Sequence, residues 1–73
     1  MPDWSAKRAS AVLAALQRTG WRVIRQRGSH KVLARDGWPN VVFAFHDREE
    51  IGPRMLARIA KHTGLSPVTC EAA

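Results

Sequence analysis

The chain predicts an α+β domain: a helix, three antiparallel strands and a second helix, with both helices on one face of the sheet. Three observations carry that expectation. Helix-forming stretches with apolar side chains at helical spacing lie near both ends of the sequence. Three short segments of strand character run between them. Gly28-Ser29 and Asp36-Gly37 separate those segments and read as sharp reversals.

From Ala6 to Arg18 the residues are mostly good helix formers, with Ser5 or Asp3 as the expected N-cap. Ala9, Val12, Leu13 and Leu16 form its apolar stripe, and Gly20 is expected just past its end. Trp21 to Gln26 has no room for a helix before Gly28. As a strand it points Trp21 and Val23 to one face and Arg22 and Ile24 to the other. Lys31 to Arg35 is the second strand, which His30 opens. After Asp36-Gly37, Trp38-Pro39-Asn40 is expected to lengthen the loop, because proline is a poor ladder member. Val41 to Phe45 is the most apolar strand and is expected to be the central or best-covered one. Pro53 suits the first position of the second helix, whose buried stripe is expected from Ile51, Met55, Leu56 and Ile59. Gly64 closes that helix. The expected core joins the two helical stripes to Trp21, Val23, Val41, Phe43 and Phe45.

With 73 residues the chain reads as one domain, residues 1–73, with a core at about 6–66 and a tail at 67–73. Domains this short bury only about 60 % of their unfolded surface. An active site here is expected to be a shallow surface or a rim. One cysteine, Cys70, excludes an internal disulfide, and with three scattered histidines it makes no zinc pattern. The chain suits a reducing cytoplasm. No apolar run reaches the ~20 residues of a membrane span, so no membrane partner is expected.

Twelve Lys and Arg stand against six Asp and Glu, a formal net charge of +6. Arg18, Arg22, Arg25, Arg27, Lys31 and Arg35 follow one another with no acid among them. The balance points to an anionic partner, a nucleic acid, a membrane surface or an acidic protein, and because a solvated strand surface usually mixes the two signs, a phosphate-facing patch is favoured. In the midst of these cations sits Gly28-Ser29-His30-Lys31. Gly28 can take a positive φ, and the Ser29 hydroxyl can tie the turn or meet a phosphate. An imidazole exchanges protons near neutral pH. Among arginines it suits chemistry on a phosphate. His30 is the candidate for proton transfer. Arg25, Arg27, Ser29, Lys31 and Arg22 are the candidate phosphate contacts, which become RNA contacts under the resemblance described next, and Arg is favoured because its planar fork matches phosphate oxygens. His46 is a second proton carrier only if the third strand brings it near His30. His62 reads as a solvated or RNA-backbone residue. Trp38 either stacks on a base or folds back over its hairpin.

The helix ending in Gly20-Trp21, the Arg25-Gln26-Arg27-Gly28-Ser29-His30 run, the strand ending at His46, and Ile51-Gly52-Pro53…Leu56…Ile59-Ala60…Thr63-Gly64-Leu65-Ser66 together resemble the HicA toxin family. The resemblance implies a double-stranded-RNA-binding-like α-β-β-β-α fold. It also implies a metal-independent, cofactor-free ribonuclease of a type II toxin–antitoxin system. Such an enzyme cleaves mRNA through the histidine of Gly-Ser-His, His30, and is silenced by a HicB-like antitoxin. The family usually has proline before its second histidine, where this chain has Phe45. Two other functions fit the residues: a non-catalytic RNA-binding module of the same fold, and a protein-binding module docking a partner on its open sheet face.

Overall fold

The computed structural model describes residues 4–67. Its elements run β1 (Lys7–Arg8), α1 (Ala9–Arg18), β2 (Arg22–Arg27), β3 (His30–Arg35), β4 (Trp38–Ala44), β5 (Glu50–Ile51) and α2 (Pro53–Thr63). β2, β3 and β4 form an antiparallel sheet in that order, and β1 and β5 pair as a separate two-stranded ribbon. Ala9, Val12, Ala15 and Leu16 of α1 meet Leu56 and Ile59 of α2, and Leu33 and Phe43 of the sheet, in one buried cluster. Both helices therefore cover the same face. The expected α+β fold is the observed one.

α1 starts later than its composition predicts. Lys7 and Arg8 are extended, bridging to Ile51 and Glu50. Arg8 occupies the N-cap without a side-chain hydrogen bond. The first N–H groups of a helix lack intrahelical partners, and here a distant loop supplies them. Ala9 N–H donates to the Glu49 carbonyl at 2.8 Å and Ser10 N–H to that of Asp47 at 3.1 Å. Ser5 is thus not the cap, and Asp3 lies outside the described residues. Gly20 follows the end of α1 with φ +108°, as expected, and Gly64 ends α2 in the left-handed region at φ +75°.

The central strand is β3, not the apolar third strand. β4 lies at an edge. Its apolar run serves two faces: Phe43 enters the core, with Val41 and Phe45 packed against it, while Val42 is 61 % exposed on the opposite side. An edge also explains Pro39, which sits inside β4 rather than in a longer loop. Leu33 pairs with Val41 and Arg35 with Trp38, so Pro39 and Asn40 together oppose Ala34 in a bulge. The loop is Asp36-Gly37 alone.

Trp21 is buried, and its indole Nε1 donates to the Thr63 carbonyl at 3.2 Å, tying the start of β2 to the end of α2. Burying a side chain of this kind contributes roughly 1.5–3 kcal/mol. Met55 lies outside the buried stripe; the covered face of α2 runs through Leu56, Ile59 and Thr63. Among the described residues no helix is long and apolar enough to cross a membrane. Residues 68–73 of the expected tail, Cys70 included, lie outside the described residues.

Candidate active site

Arg27 and His30 pair across a two-residue turn, Gly28-Ser29. Gly28 has φ +59° and Ser29 does not share the positive region. That is the pattern of a type II′ reversal, which favours glycine first. The turn is tied by Gln26, whose amide donates to the Gly28 carbonyl at 3.3 Å, and not by the Ser29 hydroxyl.

A second irregularity decides which side chains join His30. Val23 pairs with Leu33, but Arg25 pairs with Val32, which leaves Ile24 without a partner. One extra residue switches every later side chain to the other face. Strict alternation from Trp21 and Val23 sends Arg25 and Arg27 toward the helices. The bulge turns them outward instead. Residues paired across strands share a face, so Arg25, Val32 and Val42 form one row on the open side of the sheet. Arg27, His30 and Ala44 form the next row. Arg25, Arg27 and His30 are all exposed, and neither arginine makes an ion pair among the described residues.

The other sequence-predicted residues are divided between different places. Arg22 is on the open face but at the far end of β2, 3.7 Å from the Asp36 carboxylate. Lys31 pairs with Gln26 and Phe43, which puts it on the helix side of the sheet, away from His30. It is 9 % exposed. Lys31 lines a groove of about 320 Å³ with Gln26, Gly28 and Ser29 from the hairpin and Phe45, His46 and Asp47 from the segment after β4. The third strand does bring His46 back to the turn, but into this groove. His62 is exposed on the last turn of α2.

Trp38 folds back. Its ring meets Trp21 edge-on at 5.9 Å, and the Arg35 guanidinium lies 5.3 Å from its centroid. It stands at the end of the sheet opposite His30 and does not belong to the site. A larger hollow of about 440 Å³ lies beside the start of α2, against Pro53, Met55 and Arg58, and carries no histidine. Gln26, Phe45 and Asp47 were not foreseen as part of the site. The sequence signals available were the place of Gln26 between Arg25 and Arg27 and that of Phe45 and Asp47 on either side of His46.

The two adjacent rows place the Arg25 and Arg27 guanidinium groups and the His30 imidazole together on a solvent-facing surface, which is open enough for a polymer. No curated protein and no solved structure matches the chain. The family described as "HicA toxin of bacterial toxin-antitoxin" matches residues 9–65, which span α1 through the end of α2 and include the Gly-Ser-His turn. The chain belongs to the HicA toxin family, and so is the toxin of a toxin–antitoxin pair with an antitoxin as its partner.

Proposed function

We propose that this toxin is an endoribonuclease that cleaves mRNA without a metal or other cofactor, with His30 as general acid or base. The observation that carries the reading is the cross-strand row on the open face: His30 beside Arg27, with Arg25 in the adjacent row. Cleavage begins when a base takes the proton of a ribose 2′-hydroxyl. The freed oxygen attacks the neighbouring phosphorus, the P–O5′ bond breaks, and an acid protonates the departing 5′-oxygen. His30 performs one of these proton transfers. Arg25 and Arg27 hold the phosphate as its charge becomes crowded in the transition state.

The antitoxin, of HicB type, silences the enzyme by covering this basic face. Its charge there is acidic by complementarity with Arg25 and Arg27. Induced expression with and without His30→Ala tests the reading. Growth arrest and RNA breakdown are expected from the unmodified chain and not from the variant. Arrest of equal strength from both would overturn it. The rate of a purified preparation is expected to be unchanged by a chelator, whereas loss that magnesium restores would refute metal independence.

A further inference from the structure

Among the described residues Lys31 is the most deeply buried cation, and no carboxylate lies within ion-pair distance of it. Burying a charge without a partner costs stability. Lysine reduces the cost by running its aliphatic stem along apolar surface and keeping its ammonium at an edge. A packing role alone needs no ammonium, since a methionine fills the same space without the charge. The groove that Lys31 lines also holds Ser29, which is half-buried and makes no hydrogen bond through its hydroxyl among the described residues. Exposed Asp47 stands at the same groove. Its carboxylate repels an anion from that side of the groove.

We propose that this groove is an anion subsite in which Lys31 and Ser29 hold an RNA phosphate neighbouring the one at His30. The inference rests on the ribonuclease reading. His30 and Lys31 are consecutive, so their faces meet at the Gly28-Ser29 turn, and a strand of RNA passing over that end of the sheet reaches both. The open face then takes the scissile phosphate, and the groove fixes the register of the chain beside it.

The test uses the His30→Ala protein, which is expected not to cleave, with and without Lys31→Met. Binding of a single-stranded RNA oligonucleotide is followed by fluorescence anisotropy over a salt series. Lys31→Met is expected to weaken binding roughly tenfold, as for loss of a hydrogen bond to a charged group. It is also expected to reduce the log–log salt slope by about 0.7, the value for one phosphate on a single strand. Its thermal midpoint without RNA is expected to rise, because an unpaired charge has been removed. Unchanged affinity and slope, while Arg25→Gln and Arg27→Gln weaken binding in the same background, would overturn the subsite and leave the ribonuclease reading standing. Failure of all three changes to alter binding would overturn both. Backbone amide shifts give a second measurement that needs no Lys31 variant. Gly28, Ser29 and His46 are expected to move when RNA is added to the His30→Ala protein. Shifts confined to β2 would overturn the subsite.

Discussion

The turns at Gly28-Ser29 and Asp36-Gly37 close opposite ends of β3, and each carries cations and an aromatic side chain nearby. At the Asp36 end the fold uses them. Arg35 lies over the Trp38 ring, Arg22 reaches Asp36, and Trp38 rests on Trp21, which is in turn bonded to Thr63. At the Gly28 end Arg25, Arg27 and Lys31 make no ion pair and no cation–π contact among the described residues. Cations that look alike in one acid-free run are thus sorted by the fold. One end is satisfied internally and holds the domain together. The other is left without protein partners, which keeps its cations available to a ligand.

The largest effect that sharpens this contrast is expected from His30→Ala. General acid–base catalysis contributes about 10²–10⁴-fold, so single-turnover cleavage should fall by that factor. RNA affinity and the unfolding midpoint should hardly move, since His30 is exposed. Near-normal cleavage by the variant would remove the chemistry from this end.

Trp21→Ala reverses the pattern. Truncating a buried aromatic residue costs about 3–5 kcal/mol, a large share of the stability of a small domain. Chemical denaturation is expected to show that loss, and a change below about 1 kcal/mol would contradict the structural role of the Asp36 end.

Two glycines at positive φ also differ between the ends. A Cβ at Gly28 meets nothing within 4 Å, so only its type II′ backbone resists a side chain. At Gly64, a left-handed position where an L-residue costs roughly 1–2 kcal/mol, a Cβ comes 2.9 Å from Cη2 of Trp38. Gly64→Ala should therefore destabilise by about 1 kcal/mol or more beyond that backbone strain, from the forced shift of the ring. A loss in chemical denaturation no larger than the backbone strain would mean that Trp38 is loosely held.

The smallest effect is electrostatic. Arg25→Gln or Arg27→Gln should each reduce the salt slope of RNA binding by about 0.7. Arg22→Gln, at the other end, should change it less. A slope that responds equally to all three would erase the distinction between the ends.

The fold was largely legible because its signals are local. Gly28-Ser29 and Asp36-Gly37 announce hairpins, Gly20 and Gly64 end the helices, and the stripe through Val12 and Leu16 repeats at helical spacing. What stayed hidden depends on pairing. The order of strands is a property of the sheet, so the apolar run at Val41–Phe45 pointed to the centre while the register made it an edge. The cap of α1 comes from Asp47 and Glu49, far along the chain, and no residue near Ser5 encodes it. Within the site, proximity in sequence grouped Lys31 with His30, although alternation places consecutive strand residues on opposite faces. The bulge at Ile24, which turns Arg25 and Arg27 outward, has no glycine or proline to mark it.

The capping of α1 by the loop at Asp47 and Glu49 makes the first helix depend on residues some forty positions later. Helix α1 is synthesised early, but its first turn is completed only once β4 has formed and its loop has returned. The same loop begins at His46, where its N–H donates to the Glu49 carboxylate and its carbonyl accepts from the Glu49 N–H. Non-local closure of this kind slows folding and couples distant segments into one cooperative unit. A ribosome-bound chain that ends before Glu49 lacks the cap of α1, the β1–β5 ribbon and α2 together. A nascent toxin of that length has its Gly-Ser-His turn but not the body that holds it in place. The body that holds the turn is thus assembled only after the loop at Asp47 and Glu49, and the helix beyond it, have been made.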